Sequence, residues 1–297
     1  MATLSGAGHR WIDILAQFTA PVLIATLILM LAALFGRLWL AGGVAGVVAL
    51  LLLIAVSPQW FPARGDPKPG APEITLYSAN LYWENTDVDA IRASVAATDA
   101  DVVVLIEMAN GPAERMDEIL SLHPHRLVVP PMTRPVSNRM VIASRFPLTP
   151  VQTESDVPGL NYLVARVDAS LGPIDIVAVH LTRPWPYQYQ WGQITQVMAL
   201  GQVVSQLKSP VVVAGDFNSV SSARIGRQIQ SDIGLIPAPG WPGTWPSALP
   251  SAGGITIDQV YRSPDLALID RRLGQPTGSD HRPVVTRFTL SKPEPAP

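Results

Sequence analysis

Two long blocks near the N-terminus carry no charged side chain. They span residues 16–35 and 38–57, and only Gly36 and Arg37 separate them. A helix of about 20 apolar residues crosses a hydrocarbon core of roughly 30 Å, whereas the apolar region of a cleaved signal peptide has about 7–15 residues. The pair of blocks therefore predicts two transmembrane helices joined by a tight hairpin, with both flanks on the same side of the membrane.

The positive charges beside these blocks bear on their orientation. Arg10, Arg64 and Lys68 flank the pair, whereas the hairpin carries only Arg37. By the positive-inside rule, this asymmetry places the rest of the chain in the cytoplasm. The chain has no cysteine, which excludes disulfides and thiolate metal sites but is compatible with either compartment.

A change in composition follows the membrane region, residues 1–57. Residues 58–72 are rich in Pro and Gly and predict a semi-rigid linker. Residues 73–290 are enough for one large domain, and residues 291–297 predict a disordered tail. Between 73 and 290, 16 Lys and Arg against 20 Asp and Glu residues give a net charge of −4. This balance disfavours non-specific binding of long nucleic acid.

Strand-like apolar runs recur in this domain, with helical patterns between several of them. The strand-like runs span residues 74–80, 102–107, 126–129, 139–144, 162–168, 174–180, 211–217, 255–261 and 284–290. Apolar spacing near 3.6 covers residues 88–98, 113–122 and 189–207. Mixed strands and helices in one domain predict an α/β layered sandwich.

One apolar run ends abruptly in polar residues. In PVVVAGDFNSV, residues 210–220, Asp216 and Asn218 follow the run two positions apart. Side chains two apart on an extended backbone point the same way, so these two converge at the carboxyl end of the strand, where layered α/β folds form ligand sites. Other polar residues that close, interrupt or precede such runs are Asn80, Glu107, His180, Asp258, Asp280 and His281.

Each of these residues alone has a structural explanation, because Asn begins turns, a lone His is often structural, and Asp caps turns. Together they form an oxygen-rich set that suits Mg²⁺ or Mn²⁺ better than zinc. A His beside an Asp also supplies an acid or a base near neutral pH. The residues therefore predict metal-assisted hydrolysis of a phosphoester.

The same motifs resemble, in their order along the chain, those of the endonuclease/exonuclease/phosphatase superfamily. This is the fold of pancreatic-type deoxyribonuclease, inositol polyphosphate 5-phosphatases and neutral sphingomyelinases. The resemblance implies a four-layer sandwich of two mixed β-sheets flanked by helices, here in a membrane-anchored bacterial member. The matching segments are the Asn of YSANLYW, the Glu of VVVLIEM, GDFN at 215–218, IDQV at 257–260 and SDHRPV at 279–284.

The resemblance implies a metal site and a substrate site. Glu107 would bind Mg²⁺, with Mn²⁺ as an alternative ion. Asn80 would assist the metal and contact the substrate, and Asp280 would complete the metal or phosphate shell.

The resemblance also implies catalytic roles. Asp216 and Asn218 would orient the attacking water and the phosphate. His281 would contact the scissile phosphate or act as acid or base, held in its tautomer by Asp258. His180 would bind substrate and stabilise the developing charge during in-line attack by water.

Three positions depart from the family pattern. Gln259 follows the aspartate of IDQV, where many relatives have an aromatic residue or His. Gln190 and Gln193 lie where membrane-anchored relatives often have Arg. Arg139 and Arg183 are alternative phosphate contacts, although we interpret both as solvated surface charges.

Other aromatic residues are ambiguous. Four loop tryptophans would wall a pocket, face lipid or pack over the rim of the core: Trp83, Trp185, Trp241 and Trp245. His123 and His125 lie far from the motifs in sequence and are interpreted as surface residues.

Two other function classes stay open. A catalytically silent scaffold would have lost the equivalents of Glu107, Asp216 or His281, and none is lost; buried unpaired carboxylates are costly without a role. A transporter would need charged residues inside the spans, and neither span has one.

The substrate class and the membrane side also stay open. The substrate would be a lipid headgroup, a nucleic acid or a small phosphoester, and no protein partner is implied. Membrane-anchored bacterial relatives display this domain outside the cytoplasm, in opposition to the charge asymmetry. We therefore expect the bacterial inner membrane, with the catalytic domain on its extracytoplasmic face.

Overall fold

A computed structural model of the chain describes residues 9–130, 132, 139–153, 159–183 and 190–292. Its N-terminal part is a helical hairpin. The short helix α1 (Arg10–Gln17) precedes α2 (Thr19–Phe35), which packs against α3 (Trp39–Trp60). By length and composition, α3 is able to cross a membrane, whereas α2 qualifies only when joined to α1, from which it bends by 62°. Two spans therefore remain a prediction.

The rest of the described chain forms two six-stranded sheets. The strands of the first sheet are β1 (Glu73–Asn80), β2 (Val102–Met108), β3 (His125–Val129), β4 (Arg139–Ser144), β11 (Leu266–Leu273) and β12 (Val284–Leu290). Those of the second are β5 (Leu148–Thr153), β6 (Asn161–Ala169), β7 (Gly172–His180), β8 (Val211–Asp216), β9 (Ile236–Pro237) and β10 (Asp258–Arg262). The first sheet has the order β11-β12-β1-β2-β4-β3, and the second has the order β5-β6-β7-β8-β10-β9.

The sheets pack face to face, and helices cover their outer faces. Side chains such as Val104 and Ala178 form the core between the sheets. The outer face of the first sheet packs against α4 (Val88–Ala96) and the short helices α5 (Asn110–Glu114) and α6 (Met116–Ile119). The outer face of the second packs against α7 (Gln190–Ser205) and α8 (Arg224–Gln228), which continues as a π-helical turn, Ile229–Ile233. The predicted sandwich of two mixed sheets flanked by helices is confirmed.

Each sheet has one parallel pair at its centre, β1 with β2 and β7 with β8. The strands beside these pairs are antiparallel. Parallel strands present their carboxyl ends at one edge of a sheet, so the residues that close all four strands lie at corresponding edges of the sandwich. This arrangement brings the predicted site residues together.

Gly215 allows the close approach of β7 and β8 beside that edge. Its φ is +147°, and an added Cβ would lie 1.9 Å from the carbonyl oxygen of Val179. The backbone geometry therefore requires the glycine of the GDFN motif, independently of any catalytic role.

The segment after α3 runs along the domain. The backbone N–H of Leu268 donates to the carbonyl of Arg64, and that of Lys68 donates to the carbonyl of Leu290. Arg262 donates from Nη2 to the carbonyl of Ala63. These bonds hold residues 63–68 against the strands at the end of the sandwich opposite the site.

Candidate active site

Four predicted residues close the parallel strands. Asn80 ends β1, Glu107 lies near the end of β2, His180 ends β7 and Asp216 ends β8. Asp258 pairs with Asp216 across the antiparallel β8–β10 ladder.

The remaining predicted residues lie in the loops that follow or precede these strands. Asn218 lies two residues beyond β8, and Asp280 and His281 lie in the loop before β12. The structure therefore brings all eight predicted site residues to one edge of the sandwich.

Glu107 lies at an irregularity in β2. The pairing of β2 with β4 shifts between Leu105 and Met108, and Glu107 has a φ of +54°. A β-bulge of this kind redirects a side chain, and a left-handed non-glycine residue is costly unless its surroundings hold it. The backbone at Glu107 thus has the strain that accompanies many functional positions.

Asp216 is buried and accepts hydrogen bonds from Asn80 and Asn218, including a long one of 3.4 Å from Nδ2 of Asn218. Asn80 donates from Nδ2 to Oδ2 at 3.1 Å, and the backbone N–H of Asn218 donates to Oδ1 at 2.8 Å. Burial raises the pKa of Asp216, while His281 and His180 oppose that rise. A carboxylate with a raised pKa is suited to accept a proton near neutral pH.

Asn218 lies in the turn that follows β8. Its φ is +48°, and its Nδ2 donates to the carbonyl of Leu181 at 2.9 Å. The turn after β8 is therefore tied to the end of β7, which fixes Asn218 beside Asp216.

His281 and Asp258 form a buried pair. Nδ1 of the imidazole lies 2.9 Å and 3.0 Å from the two carboxylate oxygens of Asp258. Burial alone would lower the pKa of His281, but the charge and hydrogen bond of Asp258, with the charges of Asp216 and Asp280, raise it to about 10. The raised pKa favours the protonated ring at neutral pH, and Nε2 is turned away from Asp258.

Imidazoles and carboxylates alternate across the site. Nε2 of His180 lies 3.4 Å from Oε1 of Glu107 and 3.8 Å from Oδ2 of Asp216. Nε2 of His281 lies 4.0 Å from the same Oδ2 of Asp216 and 3.9 Å from Oδ1 of Asp280. The row concentrates negative charge around two imidazoles, an environment that attracts a divalent cation.

The donor set fits such a cation. Oδ2 of Asp280 accepts from Nε1 of Trp245 at 3.1 Å, but its buried Oδ1 accepts no hydrogen bond from any described residue. Glu107 accepts only a long bond, 3.3 Å, from the backbone of Trp83 within the described chain. Both carboxylates thus keep oxygen lone pairs for a hard metal ion.

A second cluster of side chains also has the spacing of metal ligands, but its histidine is already hydrogen-bonded to a carboxylate. Asp216, Asp258 and His281 offer atoms within 4.8 Å of one another. Nδ1 of His281 is already bonded to Asp258, so that ring nitrogen is committed to the carboxylate. The geometry of these three residues is also that of an acid–base pair beside a third carboxylate.

Two of the glutamines that depart from the family pattern make structural hydrogen bonds. Gln259 is buried, with Nε2 donating to the carbonyls of Ser219 and Thr256. Gln193 donates to the carbonyl of Phe217 at 3.1 Å, which supports the turn after β8. The side chain of Gln190 lies outside the described residues.

The interpretation of Arg139 as a surface charge is wrong. Arg139 is buried, and its Nη1 donates to Oδ1 of Asn110 at 2.6 Å. Arg183 is exposed, as expected. The interpretation of His123 is also wrong, because its buried ring contacts the carbonyl of Ala100 at 2.8 Å. His125 is half-buried.

The tryptophans divide into two kinds. Trp83 and Trp241 are about half exposed, whereas Trp245 is half-buried and bonds to Asp280. Trp185 lies outside the described residues. The Trp245–Asp280 bond was not expected from sequence, because nothing in the loop spacing indicates it.

Comparison with known proteins identifies the family. A sequence profile of the endonuclease/exonuclease/phosphatase family matches residues 77–281. No curated protein shows significant sequence similarity to the chain.

Solved structures share the fold at low identity. An endonuclease/exonuclease/phosphatase from Beutenbergia cavernae is 22% identical, with a TM-score of 0.55 over 74% of this chain and 72% of its own. D. rerio TDP2, solved with a single-strand DNA product, is 14% identical, with a TM-score of 0.58 over 73% and 99%. The beta toxin of Staphylococcus aureus, solved with bound magnesium ions, is 14% identical, with a TM-score of 0.56 over 74% and 100%. The chain therefore belongs to the endonuclease/exonuclease/phosphatase family, whose members are metal-dependent hydrolases of phosphoester bonds.

Proposed function

We propose that the protein is a membrane-anchored, Mg²⁺-dependent phosphoesterase that hydrolyses a phosphodiester or phosphomonoester by in-line attack of water. The observation that carries this proposal is the alternating row of Glu107, His180, Asp216, His281 and Asp280 at one edge of both sheets. Such a row offers oxygen ligands, a proton acceptor and a positive charge within one site.

The first part of the mechanism is metal and substrate binding. Glu107, Asn80 and Asp280 would hold Mg²⁺ or Mn²⁺, which supplies charge neutralisation at a phosphoryl oxygen. Asn80, Asn218 and His180 contact the substrate phosphate.

The second part is water attack. Asp216, whose pKa burial raises, takes a proton from the attacking water as its oxygen bonds to phosphorus. The bond from phosphorus to the leaving oxygen breaks, and that oxygen receives a proton from the His281 imidazolium. Asp258 holds His281 in position and His180 stabilises charge on the phosphoryl oxygens.

The membrane part of the proposal is supported by the surface of the hairpin. Large apolar side chains there face solvent, among them Phe35, Trp39 and Leu40. A contiguous apolar surface of this kind needs covering, and lipid covers a helical hairpin at low cost. We place the protein in a bacterial inner membrane with the catalytic domain on the extracytoplasmic face.

The test is hydrolysis by the full chain in detergent micelles, with and without Mg²⁺. The panel holds bis-p-nitrophenyl phosphate, plasmid DNA, RNA, phosphoinositides and sphingomyelin, so the hydrolysed member identifies the substrate class. Mg²⁺-dependent turnover that Glu107→Ala and His281→Ala both abolish supports the proposal. A folded protein that binds no Mg²⁺ and cleaves nothing contradicts it and favours the scaffold. A reporter active on only one side of the membrane, fused after Pro297, tests the orientation.

A further inference from the structure

Both ends of the helical hairpin contact the loop that follows the catalytic strand β8. This loop, residues 217–222, begins one residue after Asp216 and contains Asn218. The contacts come from Gln17, the last residue of α1, and Gln59, near the end of α3. Both glutamines are buried, at 5% and 2% exposure.

Gln17 bonds to the two residues that follow Asn218. Its Oε1 accepts from the backbone N–H of Val220 at 2.7 Å, and its Nε2 donates to Oγ of Ser219 at 3.2 Å. Neighbouring Ala16 packs with Val220 in a small apolar cluster. The loop is therefore held from outside the catalytic domain, by a residue about 200 positions earlier in the chain.

Gln59 holds the far end of the same loop and a second one. Its Oε1 accepts from Oγ of Ser222 at 2.8 Å. Its backbone carbonyl accepts from the N–H of Gly240 at 2.7 Å, and its Nε2 donates to the Gly240 carbonyl at 3.2 Å. An added Cβ at Gly240 would lie 2.4 Å from Cγ of Gln59, so the close approach requires glycine there.

These contacts bear on the geometry of Asn218. Its left-handed backbone, with φ of +48°, is held on one side by the bond to Leu181 and followed on the other by the residues that Gln17 binds. A sparsely populated conformation persists when the surroundings over-determine it. Loss of the Gln17 contacts would free one side of this turn.

We infer that Gln17 and Gln59 are positioning residues of the active site, so that the hairpin is a structural part of the catalytic unit as well as an anchor. The inference rests on the proposed function for its kinetic consequence. Docking through two buried glutamines also fixes the active site next to the base of the hairpin.

The test compares full-length variants in micelles, with soluble bis-p-nitrophenyl phosphate as substrate. Gln17→Ala and Gln59→Ala should each lower kcat about tenfold while KM changes less than about twofold, because each loses buried hydrogen bonds that orient a catalytic turn. Gln17→Glu keeps an acceptor for the Val220 N–H but turns an oxygen toward the Asp13 carbonyl, to which Nε2 of Gln17 donates at 3.2 Å, so it should recover only part of kcat. The matched control is Thr26→Ala, whose hydroxyl donates only to the Val22 carbonyl in the same helix.

Two further measurements separate positioning from folding. Gly240→Ala displaces Gln59 without removing a polar group and should reproduce the kcat loss. In Gln17→Ala, hydrogen exchange of residues 217–222 should quicken at least tenfold while exchange in β1 and β2 is unchanged.

The outcomes distinguish this inference from the proposed function. If the wild-type protein is active and the glutamine variants match Thr26→Ala in kcat and in hydrogen exchange, the inference is overturned while the proposed function stands. A loss of activity that only follows loss of folded protein, with unchanged hydrogen exchange of residues 217–222 in the protein that stays folded, also overturns it. Wild-type protein that cleaves nothing contradicts the proposed function, and the exchange measurement then decides the docking by itself.

Discussion

Both carboxylate oxygens of Asp258 lie within 3.0 Å of Nδ1 of His281. This contact fixes the ring and leaves Nε2 facing Asp216 and Asp280. The imidazolium stands between two carboxylates with its free N–H directed into the site, the geometry expected of a phosphate-binding cation and proton donor.

Replacement of Asp258 by Asn should remove most of the activity. The amide neither carries the charge that raises the pKa of His281 nor fixes the same tautomer, so we expect kcat to fall roughly 10²–10³-fold. An NMR titration of the imidazole should show the pKa of His281 well below about 10. Asp265→Asn, an exposed carboxylate at the opposite end of the sandwich, is the control. An unchanged kcat in Asp258→Asn would refute the role given to this pair.

Glu107→Gln should weaken Mg²⁺ binding. Even residues that only support a metal ligand change affinity by about 10–100-fold, so loss of a ligand should cost at least that. Calorimetric titration of Mg²⁺ into the full chain measures the effect, with exposed Glu114→Gln as the matched control. Equal affinities in the two variants would exclude Glu107 from the metal site.

Gly215→Ala should destabilise the domain. The new methyl would overlap the Val179 carbonyl oxygen at 1.9 Å, and β7 and β8 would have to separate. We expect a loss of more than about 3 kcal/mol in unfolding free energy or failure to fold. Gly111 lies in α5, where an added Cβ would have no heavy atom within 4 Å. Gly111→Ala should therefore be neutral or stabilise the domain by about 0.5 kcal/mol. Urea unfolding compares the two, and similar stabilities would show that the strands tolerate the methyl.

His123 should make stability depend on pH. Burial lowers the pKa of its ring below 6.5, and its buried Nδ1 has no partner among the described residues. A lowered folded pKa means that the unfolded chain binds the proton first, so stability is full above pH 6.5 and falls as the pH drops below it, by at most about 1.4 kcal/mol per pH unit. Urea unfolding at pH 7.5 and pH 5 should show a smaller decline for His123→Gln. An equal decline in both proteins would show that His123 does not contribute.

The central strands and their polar ends were predictable from the sequence. A run such as Val102–Met108, buried on both faces, has a composition that few other structures share. Parallel strands end at one edge of a sheet, so the polar motifs that follow them indicated where a site would form. Asp216 is the clearest example.

Among the edge strands of the two described sheets, β5, β9 and β11 were not predictable in the same way, whereas β3 matches the run predicted at residues 126–129. Strand β5 contains Pro150 next to a shift in its pairing, which disrupts the strand pattern. Strand β11 carries Asp270 and Arg271 at a similar shift, so the apolar alternation is lost. The predicted helix at 113–122 is broken at Arg115 into two short helices. These features depend on neighbouring strands and not on local pattern.

The contacts that complete the site are long-range. The bond of Trp245 to Asp280 and that of Gln17 to Val220 join residues that no spacing rule connects. Burial of Arg139 and His123 likewise depends on which strands meet, because Arg is usually exposed and His is intermediate in burial. The motifs therefore indicate where the chemistry lies, and long-range tertiary contacts complete the site.

The proposed mechanism is tested most directly by turnover of bis-p-nitrophenyl phosphate by the full chain in micelles, in water labelled with ¹⁸O. Metal-assisted attack of water on phosphorus should give turnover only with Mg²⁺ or Mn²⁺ and one labelled oxygen in p-nitrophenyl phosphate for each bond broken, with none in p-nitrophenol. Label in p-nitrophenol, or equal turnover after chelation of the metal, would contradict metal-assisted attack of water on phosphorus.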